Sequence, residues 1–511
     1  MSKIQESIVE GEATEEVENP HIDIVIIGTG FSGLGMAIKL KQNKFNDFVL
    51  LEKAADVGGT WRDNTYPGCA CDVPSHLYSF SFAPNPNWSR SYSPQPEIWA
   101  YLRECANRFG VMPHIRWQHE MQQAHWHEDE QQWYITTNQG TMTARVLIMG
   151  NGPLSEPAMP NIPGIDSFNG TIFHSAQWNH EHDLHGERVA VIGTGASAIQ
   201  FVPEIQPLVK SLLIFQRTPA WIMPRNDHPI AEWQKSLYRS LPLTQRAVRT
   251  LMYLQREVIA YGFSYRPSLI KNGEKEANKH LQAQIADPEL RQKMTPNYAM
   301  GCKRVLTSDR FYPAISQPNV SVITHGVSEI RENAVVADDG QVYEVDTIIC
   351  GTGFHVTDNP MAAIVYGRDN QSLADAWQHS PEAYLGACIS GFPNLFMLIG
   401  PNTGLGHTSM VVMIESQLAY IIDGLKTMRE QQIASIDVLP AIMHAYNDFL
   451  QQRMGGTVWN SGCASWYIDS NGRNTTIWPG FTWDFRRRTA TFDFANYASM
   501  RSPSRLSSVI S

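Results

Sequence analysis

Two short glycine-rich runs carry the first chemistry in this 511-residue chain: GTGFSG at residues 28–33 and GTGASA at residues 193–198. In each, the first glycine permits a tight turn and the second lets the backbone approach a pyrophosphate. The third small residue, Gly33 or Ala198, allows a helix to pack closely behind the turn. A carboxylate, Glu52, stands 24 residues after Gly28, and a guanidinium, Arg217, stands 24 residues after Gly193. A carboxylate at that offset accepts the hydroxyls of a free ribose, whereas a guanidinium suits a 2′-phosphate, so the two halves are written for different dinucleotides. Arg217 also reads as a solvated charge at a strand end.

These residues work only if strands and helices present them. IDIVII, residues 22–27, is a β-branched run ending at Gly28, and Leu34, Ala37, Ile38 and Leu40 follow at helical spacing. FVLLEK then forms a second strand that delivers Glu52. RVAVI and SLLIFQRTP repeat the plan around Gly193 and Arg217. The predicted fold is therefore α/β, with two Rossmann-like dinucleotide-binding domains, the first for FAD and the second for NADPH. Cofactor contacts are expected from Gly28, Gly30, Ser32, Gly33 and Glu52 in the first domain. In the second they are expected from Gly193, Thr194, Gly195, Ala196, Ser197, Gln200, Arg217 and Thr218.

The length calls for two or three domains. An acidic, disordered tail is expected at 1–20, since six of the acids behind the net charge of -10 fall within the first eighteen positions. The first domain then runs over 21–152, the second over 153–340, and the strand VDTIICGTGF at 345–354 returns the chain to the first domain, which with a C-terminal cap fills 341–511. Within the second domain, residues from about 228 to 295 form a helical insert. Its Leu237, Leu241, Val248, Leu251, Leu254 and Val258 recur at helical intervals among basic residues. That pattern suits an interfacial membrane helix or, preferably, an insert packed on the second domain, its apolar residues being too dilute for a lipid-facing stripe.

No secretory signal and no run of eighteen apolar residues occurs. Seven scattered cysteines, an odd number, argue against a disulfide framework and for a cytoplasmic setting. Cys69 and Cys71 form a C-x-C with no second pair to complete a zinc site, so free thiols and no metal are expected. An acidic balance without a basic face argues against nucleic-acid binding.

Residues 168–178, FNGTIFHSAQW, join the two glycine motifs. Alone, they read as a linker whose Phe168 and Trp178 plug an interface. The pattern F-x-G-x-x-x-H-x-x-x-W also resembles the fingerprint of Baeyer–Villiger monooxygenases, with Phe168, Gly170, His174 and Trp178 at the matching positions and Asn179 where Pro or Asp is usual. In that family a G-G-x-W…Y-P-G…D segment lines the flavin, and Gly58, Gly59, Trp61, Tyr66, Pro67, Gly68 and Asp72 match it. The resemblance implies that Gly59, Thr60, Trp61, Asp72, Tyr78 and Met410 lie near the flavin, with Ala70, Cys71 and Asp72 also facing the nicotinamide nucleotide.

GCKRVLTSDRFYPAI resembles the family segment that carries the active-site arginine, which maps onto Arg304. The implied reaction turns a ketone, O2 and NADPH into an ester or lactone, water and NADP⁺. Arg304 would favour an anionic oxidant and the negatively charged adduct it forms with a carbonyl. Asp72 would aim that guanidinium, while His174 and Trp178 complete the implied catalytic set, His174 assisting domain rearrangement or nicotinamide placement. The C-terminal aromatic residues Trp459, Trp466, Trp478 and Trp483 lie in segments that resemble the closure of the family's substrate pocket, or act as a buried cap. Three alternatives stand beside this reading: an S- or N-oxygenating flavin monooxygenase, a flavin disulfide reductase, for which C-x-C has the wrong gap, and a non-catalytic nucleotide sensor.

Overall fold

The computed structural model describes residues 19–501, and the acidic opening lies outside them. The β-branched run becomes β1 (His21–Ile27), with β2 (Phe48–Glu52) beside it in parallel, Ile24 opposite Phe48. Between them α1 (Phe31–Gln42) starts at the glycine turn and crosses over. The loop that follows holds the single turn α2 (Thr60–Asp63) and leads to α3 (Gln95–Arg108). β3 (Ile115–Trp117) then extends the sheet beyond β2. β4 (Met121–His127), β5 (Gln132–Thr137) and β6 (Gly140–Met149) form an antiparallel meander whose last strand pairs in parallel with the other side of β1.

The second sheet is parallel throughout. Its strands are β7 (Thr171–His174), β8 (Arg188–Ile192) and β9 (Ser211–Phe215), with α4 (Ala198–Ile205) crossing from β8 to β9. A two-stranded ribbon, β10 (Ile222–Met223) with β11 (Leu306–Thr307), brackets the helical insert. The insert consists of α5 (Glu232–Ser240), α6 (Pro242–Ser264), α7 (Ile270–Gln284) and α8 (Pro288–Lys293). After α9 (Phe311–Ile315), β12 (Val320–Ile323) joins the edge of β9. A small antiparallel sheet follows, made of β13 (Val327–Arg331), β14 (Ala334–Ala337) and β15 (Val342–Glu344).

The next strand corrects an expectation. β16 (Thr347–Cys350) does not return to the first sheet but lies inside the second, between β8 and β7, with Ile349 opposite both Val191 and Phe173. All four of its residues are buried, and a strand covered on both faces carries no pattern that says which parallel sheet it enters. The chain reaches the first sheet again only with β17 (Val365–Tyr366) on β4 and, after α10 (Leu373–Ala376), β18 (Leu395–Met397) on β6. α11 (Met410–Glu430) packs back on α1 so closely that a Cβ on Gly35 would stand 2.9 Å from Leu418 Cδ1. β19 (Ile433–Val438), α12 (Pro440–Met454), α13 (Thr482–Arg488) and β20 (Tyr497–Arg501) complete the described chain, β19 and β20 pairing antiparallel.

Only the rear of the insert packs on the second domain as expected, through Leu281, Ile285 and Met294. α6 leans elsewhere. Gln245 Nε2 donates to His76 Nδ1 at 3.1 Å, Arg249 Nη1 donates to His76 O at 2.6 Å, and Glu257 Oε2 accepts the Thr482 N–H at 3.1 Å. These bonds tie it to the loop before α3 and to the C-terminal segment, and its leucines are left facing outward. The cysteines depart from expectation too: Cys302 and Cys463 form a disulfide across 161 residues, while the other five thiols are buried. No local spacing announces so distant a pair, and the cysteine argument for a reducing compartment falls with it.

Candidate active site

A cavity of about 340 Å³ opens at the C-terminal ends of β1, β2 and β18, where open α/β sheets hold their ligands. Its wall includes Gly28, Gly30, Ser32, Glu52, Gly59 and Thr60, and it continues past Trp61, Tyr78 and Met410 to Arg304. Sequence-expected residues from four distant segments therefore meet in one space.

The glycine turn at its floor admits no substitute at Gly28 or Gly33. Gly28 adopts a φ of +90°, and a Cβ on Gly33 would fall 1.9 Å from Gly28 O. Gly59 closes over it, its own Cβ position lying 3.2 Å from Gly30 Cα. Backbone at that range leaves amide groups and the N-terminus of α1 facing the space, which is the chemistry a pyrophosphate requires. Glu52 is buried and held in place: Thr29 donates to Oε2 from N at 3.1 Å and Oγ1 at 2.6 Å, and Arg62 Nη1 pairs with Oε1 at 2.8 Å. Arg62 is a partner that sequence reasoning missed, although it stands in the same glycine-rich loop. Trp61 Nε1 donates to Tyr78 OH at 3.1 Å, so those two walls hold each other. Met410 begins α11, whose Ser409 cap accepts the Val411 N–H at 3.2 Å, and the terminus of that helix opens onto the cavity.

Arg304 reaches the wall from the segment just before β11, and Asp72 stands behind it. Both Nε, at 3.0 Å, and Nη2, at 2.6 Å, donate to a single oxygen, Oδ2. The pair is monodentate on the acid, two guanidinium nitrogens sharing one carboxylate oxygen. Burial alone would raise the Asp72 carboxyl, yet the charge and hydrogen bonds of Arg304 carry it below the usual carboxylate range. Asp72 in turn raises Arg304 further against the pull of desolvation, so the guanidinium stays charged. Burial pushes the Cys69 thiol up to about 11 and the Cys71 thiol higher still, which leaves both neutral and unsuited to thiolate redox chemistry.

The disulfide acts on this wall. Cys302 lies two residues before Arg304 and Cys463 three before Trp466, so the bridge ties the arginine segment to the C-terminal loop that contributes Trp466, Thr475, Thr476 and Ile477 to the cavity. Among the C-terminal tryptophans, Trp459 and Trp478 are core residues, Trp483 is exposed, and Trp466 alone lines the cavity. Tyr467, unmentioned by the sequence reading, is buried beside Trp466 with its phenol raised to about 12 by burial, an effect the nearby Arg304 opposes.

The second glycine turn contributes no residue to the lining of this cavity. Gly193 has a φ of +103° and a Cβ there would meet Gly351 O at 2.5 Å, so the glycines after β16 back the turn. Gly195 and Ala196 are exposed, and Thr194 and Ser197 half-buried. Gln200 is engaged with the first domain: its Nε2 donates to Ala70 O at 2.9 Å and its Oε1 accepts from Ala70 N at 3.2 Å and Tyr66 OH at 3.0 Å. Arg217 is exposed past the end of β9, with no ion pair among the described residues, and Thr218 follows it half-buried. Burial and, after it, the charge of Arg217 lower the Lys303 amine. Lys303, next to Arg304 in the segment GCKRVLTSDRFYPAI, was not singled out from the sequence.

His174 and Trp178 are not brought to the cavity wall. His174 ends β7, buried, its Nδ1 accepting from Ala176 N at 3.1 Å, and burial lowers its pKa against the opposing pull of the Gly353 backbone. Its ring meets Phe354 edge-on at 5.9 Å. Trp178 packs between Phe173, at 5.1 Å, and Phe201, at 5.3 Å, on the core of the second domain. Phe168 packs on the other face of that sheet.

Comparison with known proteins agrees with this arrangement. Residues 22–365 match the flavin-binding monooxygenase-like family. The chain is 50% identical over 491 residues to a Baeyer–Villiger monooxygenase of Streptomyces coelicolor, covering 96% of this chain and 95% of that protein. It is 49% identical over 486 residues to one of Pseudomonas aeruginosa, covering 94% and 92%. Its fold matches the crystal structure of OTEMO in complex with FAD and NADP with a TM-score of 0.86 at 26% identity, over 94% of this chain and 100% of that one. Two glycine turns in separate sheets, an arginine carried to the first of them, and these relatives together place the chain in the flavin-binding monooxygenase-like family, among its Baeyer–Villiger monooxygenases.

Proposed function

We propose that the chain uses FAD and NADPH to insert one oxygen atom of O2 beside a ketone carbonyl, giving an ester or lactone. The observation that carries this reading is the placement of Arg304, a permanently charged group held by Asp72, on the wall of the same cavity whose floor is the first glycine turn. FAD, when bound, supplies the electron transfer from nicotinamide and the activation of O2. The chain's residues do the rest. The amides of the first turn and the α1 N-terminus hold the pyrophosphate, and Glu52 holds the ribose. Arg217 and Lys303 hold the 2′-phosphate of NADPH at the second turn.

Arg304 stabilises negative charge that develops on the carbonyl oxygen, and it does so without reorganisation because Asp72 already fixes its direction. The loop from Cys463 to Ile477 limits access of water through Trp466, fastened to the arginine segment by the disulfide.

Arg304→Ala tests the reading. Ester formation from a ketone falls by about 10²-fold or more, while anaerobic reduction of the bound flavin by NADPH, followed by loss of its absorbance, continues. An Arg304→Ala enzyme that makes ester at the parent rate would overturn it. So would a parent enzyme that binds both nucleotides yet consumes no O2, the outcome expected of a nucleotide sensor.

A further inference from the structure

Helix α6 turns a long apolar stripe outward, burying Phe263 and Ala260 but leaving most of its leucines in solvent. A helix on a protein in water turns its apolar residues inward and its polar ones outward, but here Gln245 and Glu257 are buried while Leu243 is 73% and Val258 72% exposed. Leu243, Leu251, Leu254, Val258, Tyr261 and Tyr265 follow one another at helical spacing along the outer face, and all six are exposed. The orientation is fixed by the inward bonds, Gln245 to His76, Arg249 to the His76 carbonyl, and Glu257 to Thr482, so the stripe has no way to roll under.

The stripe continues into an aromatic ladder. Tyr261 stacks on Tyr265 at 6.0 Å, Tyr265 on Phe481 at 5.1 Å, and Phe481 on Trp483 at 5.5 Å. Trp233, on α5, is 68% exposed. Exposed apolar area of this extent marks a surface that is covered by something.

Charge selects the occupant. Between residues 231 and 266 stand five cations besides the inward-bonded Arg249, namely Lys235, Arg239, Arg246, Arg256 and Arg266, against two acids. One acid, Glu232, pairs with Lys235 at 2.8 Å, and the other, Glu257, is buried under Thr482. No acid is left on the outer face of α6, and α13 adds exposed Arg486 and Arg487 beside Trp483. A positive, apolar face on a chain of net charge -10 is repelled by its own copy in a two-fold pairing and drawn to an anionic lipid surface. There leucines enter the acyl boundary, arginines reach back to phosphates, and Trp and Tyr settle at headgroup depth. No helix of the described residues is long and apolar enough to cross a membrane, so the contact is with one leaflet.

We propose that the outer face of α6, with Trp233 and the Tyr265–Trp483 ladder, docks this protein on anionic phospholipid bilayers. The contact does not depend on the reaction assigned above.

Sedimentation of the full chain with vesicles of phosphatidylcholine, with and without about a third phosphatidylglycerol, tests this. The protein is expected to sediment with the anionic vesicles at low salt, to be released at high salt, and to bind pure phosphatidylcholine far less. Leu254→Asp/Val258→Asp lowers the partition constant about tenfold or more, and Arg246→Glu/Arg266→Glu lowers it and removes the salt dependence. Both pairs lie on solvent-facing positions, so an unchanged thermal midpoint accompanies the loss. The proposal is overturned by absence of binding to anionic vesicles, by equal binding to neutral ones, or by an aspartate pair that binds like the parent. A dimer in analytical sedimentation that the aspartate pair dissolves would assign the face to a second copy instead.

Discussion

At residues 28–33 the glycine turn is crowded by backbone at Gly28 and Gly33, whereas at residues 193–198 nearly the same sequence is crowded only at Gly193 and stands open at Gly195. Around the first, the carbonyl of Gly28 lies where a Cβ of Gly33 would be, Gly59 presses on Gly30, and Glu52 is already bonded to Thr29 and Arg62. Around the second, Gly195 has nothing within 4 Å of its Cβ position, Ala198 replaces the third glycine, and Arg217 stands exposed without an ion pair among the described residues. Enclosure suits a ligand that enters during folding and stays, since its binding residues are ordered by the fold and not by the ligand. Openness suits one that arrives, reacts and leaves. On the function proposed above, the same loop chemistry would serve a resident FAD in one module and an exchanging NADPH in the other.

The sharpest way to break this contrast is to add one methyl group to the closed turn. In Gly33→Ala the new Cβ sits 1.9 Å from a backbone oxygen, which cannot move aside as a flexible side chain could. Flavin occupancy, read as bound flavin absorbance against protein, is expected to fall about tenfold or more. Full occupancy in that variant would show that the first turn is no tighter than the second.

Next in size is Arg217→Ala, which sharpens the contrast from the open side. Loss of a charge-assisted contact with the 2′-phosphate should raise the KM for NADPH by about 10- to 100-fold and leave that for NADH nearly unchanged. The measurement is the ratio of kcat/KM with the two nucleotides. If that ratio holds, Arg217 is a solvated strand-end charge and Lys303 carries the discrimination alone.

Both turns, with their strands, helices and acid or base at equal offset, were legible in the sequence because a local strand–glycine–helix unit contains its own instructions. What was misread depends on distance or on direction. β16 was placed in the wrong sheet because TIIC is buried on both faces and suits either parallel sheet equally. The α6 leucines have the same spacing whether they face a core or solvent, and only the inward bonds of Gln245 and Glu257 decide which. The Cys302–Cys463 pair spans 161 residues and leaves no local trace. In the site, Arg304, Asp72, Trp61 and Tyr78 came together as the family resemblance implied, whereas His174 and Trp178, in the motif joining the modules, pack on the second sheet away from the cavity wall. A motif's residues can hold two modules in register without touching what either binds.

His76 joins the closed module to the insert of the open one, and its prediction concerns pH. Burial, reinforced by Arg249, lowers its pKa to about 4 from an ordinary value near 6.5. A folded-state pKa below the unfolded one means that the unfolded chain takes up the proton first, so this contribution is complete above pH 6.5 and is lost as pH falls toward 4. Between pH 7.5 and 5 it amounts to about 2 kcal/mol. His76→Gln keeps an acceptor for Gln245 and removes the titration, so urea midpoints measured at the two pH values should lie closer together in the variant than in the parent. Equal separation in both would place the acid sensitivity elsewhere, for instance at buried His174.

The smallest effect is expected at Ala198→Gly, which makes the second turn a copy of the first in its third position. Ala198 is buried at the start of α4 and its Cβ lies 3.6 Å from the Cβ position of Gly351, an ordinary contact with nothing to relieve. The change removes a methyl group and loosens the first turn of the helix, which costs about 0.5–1 kcal/mol of stability. The KM for NADPH should stay within about threefold, because on the proposed reading the groups that approach the nucleotide are the backbone of Gly193 and Gly195 and the side chain of Arg217. A large gain in affinity would mean that helix packing limits the second turn as it limits the first, and that the openness at Gly195 does not set how readily the nucleotide exchanges.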